Sequence, residues 1–400
     1  YSAVNKLPHI STLIFEESSM IGTDLYGQVL DALPRPQATQ MIFLGDLNQL
    51  PPVFGPSILG FKLAELPIVE LTHVYRQALL SPIIRLATGI RTNKFEDTFD
   101  EMAHGKHLLP GHPLSVDNHE HGTVTIHPWK KRCTNDTALT TMKAFLPAQI
   151  ASGNYNPAED MILCPFNKSF GTIELNKVIA DHLAHKANET VHEVIARYIK
   201  SYWAVGDRVM VDRHEATITK IEPTIGYVGK LPQQASKDLT RWGDNRVTGE
   251  KQVELTADEI LNQLDALGAD DDENSKNMAS HTITVYLPDL DETRKLSTAG
   301  EINNMVFGYC LTVHKSQGSE WKKVFILLHN SHATMLSREL LYTAVTRARE
   351  SLYIICEGDI KPYVNTIKVA AGRGVIPGVS LSEKIEYFQN KKKSMMSMAS

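Results

Sequence analysis

Two short apolar runs, Thr12-Leu13-Ile14-Phe15 and Gln40-Met41-Ile42-Phe43-Leu44, each stop abruptly, the first at Glu16-Glu17 and the second at Gly45-Asp46. Runs of this length that are apolar without alternation fit strands of a parallel sheet, which are buried on both faces. Between them, Asp24 to Leu33 has helical spacing and halts at Pro34-Arg35-Pro36, where proline removes donors and ends a helix. Strand, helix and strand, with polar groups at each strand's carboxyl end, is the pattern of a doubly wound α/β domain. Ile68-Val69-Glu70-Leu71 reads as a third strand of the same sheet.

A second α/β pattern starts near Ser81. Helices are expected over Pro82 to Arg91, Asn135 to Ser152 and Ser169 to His185, and strands at Thr123 to Ile126 and Met161 to Cys164. The pattern resumes at Tyr309 and runs through the strands Val324 to Leu328 and Leu352 to Ile355. Residues 204–300 differ. Val205 to Val211, Ala216 to Ile221 and Thr282 to Leu287 alternate between apolar and polar, with Gly and Pro punctuation, as a small antiparallel barrel requires. Within that span, Thr256 to Asn277 starts helical and turns acidic at Asp270-Asp271-Asp272-Glu273, a solvated surface excursion. The tail after about 363 is polar and Met-rich, with one helix expected over Ser382 to Asn390 and no function assigned. The expected organisation is 1–80 for a first α/β domain, 81–203 with 301–362 for a second, 204–300 for the inserted barrel and 363–400 for the tail.

A formal net charge of -5 argues against a protein that coats nucleic acid indiscriminately, while leaving room for a local basic groove. The four cysteines, Cys133, Cys164, Cys310 and Cys356, form no C-x-x-C pair and read as buried thiols of a reducing compartment. No run of about 18 apolar residues is present, so no membrane span is expected.

Chemistry concentrates in a few blocks. Glu16-Glu17-Ser18-Ser19-Met20 puts two acids at a strand end, where they can hold a magnesium ion and orient a water. In Gly45-Asp46-Leu47-Asn48-Gln49-Leu50-Pro51-Pro52-Val53, glycine permits a tight exit, Gln49 offers a donor and an acceptor, and two prolines stiffen the loop. Cys164-Pro165-Phe166-Asn167-Lys168, with Gly171 and Leu175-Asn176, offers an aromatic face for a base and polar groups for phosphates. Thr312-Val313-His314-Lys315-Ser316-Gln317-Gly318-Ser319-Glu320 is dense in groups that grip a strand. Tyr342-Thr343-Ala344-Val345-Thr346-Arg347-Ala348-Arg349 places two arginines in the closing turn of an apolar helix, and a positioned arginine is what a transferring phosphoryl group needs.

These blocks, in this order, resemble the motifs of superfamily 1 helicases, and TVHKSQGSE is closest to the RecD-like and phage Dda-like branch. The resemblance covers roughly residues 10–355. It implies two RecA-like domains of P-loop NTPase type with a β-barrel inserted in the second, ATP and magnesium as cofactors, and movement along single-stranded DNA, 5′ to 3′, coupled to ATP hydrolysis. By it, Glu16 is the metal-side acid, where the family has Asp, and Glu17 the catalytic base. Gln49 contacts the γ-phosphate or its water, with Gly45 and Asp46 beside it. Arg76 of Val74-Tyr75-Arg76-Gln77 reaches the γ-phosphate and Tyr75 stacks on the adenine. Arg347 is the arginine finger, with Arg349, Gly318 and Glu320 around the nucleotide. Phe166, Asn167, Lys168, Thr312, His314, Lys315 and Gln317 are the strand contacts. The family also implies replication or recombination proteins as partners, a monomer, and the cytoplasm of a bacterial or phage-infected cell.

One family element does not occur: no G-x-x-x-x-G-K-[ST] is present. Gly22 to Val29 has the glycine spacing but lacks the lysine and hydroxyl. The family carries that phosphate-cradling loop ahead of the acidic pair. The sequence therefore reads as an N-terminally incomplete helicase, with a truncated first domain and no expected turnover alone. Two other readings stay open: a non-catalytic module that binds a nucleic-acid strand or a partner, from a split or degenerate gene, and an RNA helicase.

Overall fold

The computed structural model describes residues 6–399 apart from 54, 72–79, 96, 99–100, 102–103, 105–111, 119, 131–133, 169, 198, 226–277 and 358–371. Tyr75, Arg76, Cys133 and the acidic stretch 256–277 lie outside the described residues. The chain divides into two compact units. One comprises Tyr1–Thr137, Glu159–Gly171 and Leu311–Ser400, and the other Ala138–Ala158 and Thr172–Cys310. The fold consists of two RecA-like parallel-sheet layers and an antiparallel half-barrel.

In the first unit, β1 (Thr12–Phe15) and β2 (Gln40–Phe43) pair in parallel, with Phe15 opposite Phe43. The connecting helix is Thr23–Ala32. It covers one face of the pair: Phe15 stacks on Phe43 with centroids 4.9 Å apart, and Tyr26 meets Phe15 edge-on at 5.7 Å. The expectation of fully buried strands does not hold here. Ile14, Ile42 and Leu44 are exposed, because only two strands pair among the described residues and nothing there covers their other face. Gly45 leaves β2 against the turn after β1. A Cβ there would sit 2.9 Å from the Ser19 backbone nitrogen, so only glycine admits the approach. The turn is held by Ser18, whose N–H and Oγ both donate to the Leu44 carbonyl at 2.8 and 2.7 Å. Ile68 to Leu71 forms no strand and is exposed, with Leu71 at 93%. Apolar composition over four residues does not make a strand without a neighbour to pair with.

The second sheet of this unit has the order β13-β5-β14-β15-β4-β3. Its strands are β3 (Leu114–Asn118), β4 (Gly122–Lys130), β5 (Met161–Cys164), β13 (Cys310–Thr312), β14 (Trp321–Leu328) and β15 (Ala348–Glu357). β5, β14, β15 and β4 run parallel, and β3 closes the edge antiparallel to β4. Val124, Ile126, Leu163, Val324, Ile326, Leu352 and Ile354 are wholly buried, as inner parallel strands require. Helix Pro82–Arg91 starts with Pro82 in its first turn and buries Ile83, Leu86 and Ile90. Helix Arg338–Val345 is capped by Ser337, whose Oγ accepts from the Leu340 N–H at 3.1 Å. It ends two residues before Arg347, and Arg349 already belongs to β15, so the two arginines do not share a helical turn.

The C-terminal segment is more structured than its polar composition suggests. Its helix runs over Leu381–Ala399, well beyond Asn390. Phe388 is buried and meets Phe61 of helix Ile58–Leu63 edge-on at 5.3 Å, in a cluster with Leu47, Leu59 and Ile376.

The second unit holds the antiparallel sheet, ordered β12-β8-β9-β10-β6-β7 with β11 on β10. The strands are β6 (His192–Ala196), β7 (Ile199–Trp203), β8 (Arg208–Val211), β9 (His214–Pro223), β10 (Met278–Leu287), β11 (Glu292–Thr298) and β12 (Val306–Phe307). The sheet takes in strands on both sides of the expected 204–300 span. A buried polar knot organises its base. The Tyr309 hydroxyl donates to Asp207 at 3.2 Å and accepts from the Arg208 N–H at 3.1 Å. Asn176 pairs twice with the Cys310 backbone at 2.8 Å each way, so this motif residue has a scaffolding contact of its own.

Candidate functional site

β1 and β2 are adjacent and parallel, so the loops after them leave the same sheet edge, the usual location of a site in an open α/β sheet. Glu16 is exposed and Glu17 half-buried. Glu17 has φ 48°, in the left-handed region, which a residue with a Cβ adopts only when its surroundings hold it there. Across the edge, Asp46 organises the second loop. Its Oδ1 accepts from the backbone N–H and the side-chain amide of Asn48, both at 2.8 Å. Gln49 follows, with Oε1 buried and unpartnered among the described residues, and Ser19 Oγ is in the same state. Buried orphan acceptors are rare.

The loop is pinned to the second sheet's elements. The Leu50 N–H donates to Thr343 Oγ1 at 2.9 Å, and the Leu50 carbonyl accepts from Gln317 Nε2 at 3.1 Å. Tyr342 donates its hydroxyl to Asp46, and burial together with the Asp46 carboxylate pushes its phenol far up. The Gln49 loop, the TVHKSQGSE block and helix Arg338–Val345 thus meet through four side chains. Tyr342 and Thr343 stood inside a motif singled out in the sequence but carried no assigned role there. Their hydroxyls are the parts that matter, and no spacing rule shows where a hydroxyl will point.

Arg347 lies at the centre of this junction, 6% exposed. Its Nε donates to the Thr343 carbonyl at 3.1 Å, Nη1 to the Ser319 carbonyl at 3.0 Å and Nη2 to Thr346 Oγ1 at 3.1 Å. A guanidinium has five N–H donors, so two have no partner among the described residues. Burial pushes its pKa down, and the nearby charges of Glu17 and Glu320 and the Tyr342 phenol work the other way. An arginine starts so high that it stays cationic at neutral pH. Arg349 is exposed and lines a separate groove with Asp117, Glu120, His121 and Glu350. Gly318 is exposed at φ 79°.

The expected strand contacts gather at one end of the second sheet. β5 and β13 are neighbours, and the Val313 N–H donates to the Cys164 carbonyl at 3.3 Å. The loops after these strands therefore emerge together. Asn167, Lys168 and Lys315 are exposed on them. Thr312 is buried and its Oγ1 accepts from the Lys315 N–H at 3.3 Å, which shapes the turn. Burial pushes the His314 imidazole down. Gln317 is engaged with Leu50, as above. Gly171 packs so close to the Phe166 carbonyl and Asn167 backbone that a Cβ would collide with them.

Beneath these loops lies a buried histidine outside every motif block. His332 Nε2 donates to the Phe170 carbonyl at 2.9 Å, and its Nδ1 accepts from the His329 N–H at 3.1 Å. These partners fit only a neutral ring. Phe166 and Phe170 lie nearly parallel to it, at 6.3 and 6.1 Å, and burial pushes its pKa down to about 4.

Two family models match separate parts of the chain. A UvrD-like helicase C-terminal domain model matches residues 307–355, which hold both the TVHKSQGSE and the Arg347 blocks. An AAA domain model matches residues 3–111, which hold the Glu16-Glu17 and Gln49 blocks. The ATP-dependent RecD2 DNA helicase of Deinococcus radiodurans is 27% identical over 85% of this chain and 36% of its own length. The RecBCD enzyme subunit RecD of Mycolicibacterium smegmatis is 22% identical over 92% of this chain and 54% of its own. The chain thus spans between about a third and about half of these relatives. A crystal structure of Pif1 helicase from Bacteroides in complex with ADP-AlF3 and ssDNA is 16% identical, with a TM-score of 0.44 over 86% of this chain and 70% of that one. Through its paired motif blocks the chain is similar to superfamily 1 helicases, and the two relatives named above are RecD-type helicases.

The neutral His332 makes stability pH-dependent. Its folded pKa of about 4 lies below the unfolded value of about 6.5, so the unfolded chain binds the extra proton first and stability falls as pH drops from 6.5 towards 4. Between pH 7 and pH 5 the expected loss from this group is about 2 kcal/mol. Urea unfolding at the two pH values is expected to show a larger drop for the wild type than for His332→Gln.

Proposed function

We propose that the chain is the motor part of an ATP-dependent DNA helicase that moves along single-stranded DNA, 5′ to 3′. The observation that carries this reading is the junction of the Gln49 loop with Arg347 through Leu50 and Thr343. Among the described residues, one side chain there has an unpartnered acceptor, and the other has two unpartnered donors and a positive charge. That set suits a triphosphate and its attacking water. Arg347 offsets negative charge gathering on the outer phosphoryl oxygens. Glu17 takes a proton from the water, and Gln49 orients it by hydrogen bonding. Glu16, with Glu17 nearby, would hold magnesium, which binds through one or two carboxylates plus phosphate oxygens and neutralises phosphate charge. Tyr75 and Arg76 complete the nucleotide contacts in this reading.

On the strand side, Phe166 offers a stacking face, and Asn167, Lys168, His314 and Lys315 offer polar contacts to phosphates. Because Gln317 bonds the Gln49 loop, a strand pulling on the Thr312 to Gln317 turn acts directly on the group next to the water. That link would couple hydrolysis to movement. Replication or recombination proteins are the partners that fit such a motor.

Because these 400 residues contain no G-x-x-x-x-G-K-[ST], the hydrolysis assay is run on a polypeptide that joins them to such a loop. The 400-residue chain serves as the comparison and is expected to show near-zero turnover. In the joined polypeptide, single-stranded DNA is expected to stimulate hydrolysis, and Glu17→Gln to lower kcat by about 10²-fold or more. Unchanged kcat in that variant would remove Glu17 from the chemistry.

Strand binding is testable on the chain itself. Lys168→Ala and Lys315→Ala are each expected to weaken single-stranded DNA uniformly across sequences and to reduce the log Kd against log salt slope by about 0.7. An RNA oligonucleotide of the same sequence, competing equally, would point to an RNA motor instead.

A further inference from the structure

The segment after residue 372 does more than fill space. Two anchors tie its start to the helix that precedes Arg347. Arg338 Nη2 donates to the Ile376 and Gly378 carbonyls at 3.2 and 2.8 Å, and the Glu339 carboxylate accepts from the Val375 and Ile376 N–H groups at 2.9 and 3.4 Å. Helix Leu381–Ala399 then packs on helix Ile58–Leu63 through Phe388 and Phe61, and Lys392 pairs with Glu65 at 2.7 Å. Between these holds sits Lys384, 1% exposed. Its Nζ donates to the Leu47 carbonyl at 3.0 Å and to Asn48 Oδ1 at 2.7 Å.

A buried ammonium is a costly way to attach a helix. An apolar side chain of the same length would pack against Leu47 without that cost. What lysine adds is donors, and both recipients lie in the Gln49 loop. The rest of Asn48 is committed to Asp46, and Asp46 accepts from Tyr342. Leu50 is committed to Thr343 and Gln317. Gln49 thus lies between a pair of residues fixed by Lys384 and one fixed by the Arg347 helix. Burial pushes the Lys384 pKa down to about 8, with the Glu339 and Asp46 carboxylates opposing that shift and Arg338 and Arg91 adding to it. At pH 7 the group is still mostly an ammonium, and it carries N–H donors in either protonation state.

We propose that Lys384 is a positioning residue that sets the Asp46-Leu47-Asn48-Gln49-Leu50 loop from the C-terminal helix and so holds Gln49 in its working place. Its working place rests on the nucleotide reading above; the setting of the loop does not. Lys384→Met keeps the packing and removes the donors. Backbone hydrogen exchange on the 400-residue chain is the test. The Asn48, Gln49 and Leu50 amides are expected to exchange about 10-fold faster or more in the variant, while helix amides around Phe388 stay within about twofold. Unchanged loop amides, or loop and helix amides rising together, would overturn the positioning role. If the Met variant does not fold, Lys384→Gln, which is too short to reach both the Leu47 carbonyl and Asn48 Oδ1 and leaves the Asn48–Asp46 bonds in place, carries the same comparison. In the joined polypeptide that hydrolyses ATP, Lys384→Met is expected to lower kcat with KM for ATP little changed, because an orienting residue acts on the transition state. A kcat equal to wild type would overturn the link to Gln49. Absence of turnover in the wild type would count against the nucleotide reading alone, since the exchange comparison needs no hydrolysis.

Discussion

The Leu50 N–H donates to the Thr343 hydroxyl at 2.9 Å, and its carbonyl accepts from Gln317 at 3.1 Å. One residue after β2 is thereby held on both of its backbone sides by two elements that come more than 260 residues later. Gln49, Arg347 and the Thr312 to Gln317 turn are arranged around it. Gln49 immediately precedes it in the chain, Arg347 bonds the carbonyl of the same Thr343, and Gln317 belongs to the turn that begins at Thr312. Such a junction makes the state of one loop felt by the others, since moving any of them breaks a bond inside a buried site, where an unmade hydrogen bond costs more than it does in water.

Much of this was legible in the sequence, and the reasons are physical. β1, β2, helix Pro82–Arg91, β5 and β15 follow from apolar runs bounded by Gly, Pro and charge, and the motif blocks follow from residue types that phosphates and water require. The misses have one cause: sequence pattern registers local preference, and these features depend on partners far away. Ile68 to Leu71 has strand composition but no neighbour to pair with among the described residues. Ile14 and Ile42 belong to strands that have only each other among the described residues. Arg349 shares a motif with Arg347, yet one enters a strand while the other turns inward, because the helix ends at Val345.

The polar tail was the least legible part. Lysine-rich composition reads as solvated, and no local signal marks Lys384 apart from Lys391, Lys392 and Lys393. Only the fold shows Phe388 reaching helix Ile58–Leu63 and Lys384 reaching the Leu47 carbonyl. His332 is similar. It lies outside every motif block, and its role appears only once the Phe170 carbonyl and the His329 N–H close around it.

The central claim is that Gln49 and Arg347 act as one unit across the Leu50–Thr343 bond. A double-mutant cycle measures it directly, using single-turnover ATP hydrolysis by the polypeptide that carries the phosphate loop, with Gln49→Ala, Arg347→Ala and both together. Residues acting as a unit are strongly non-additive, so the double variant is expected to be about as slow as the slower single. Effects that multiply, with no coupling between the two positions, would contradict the account.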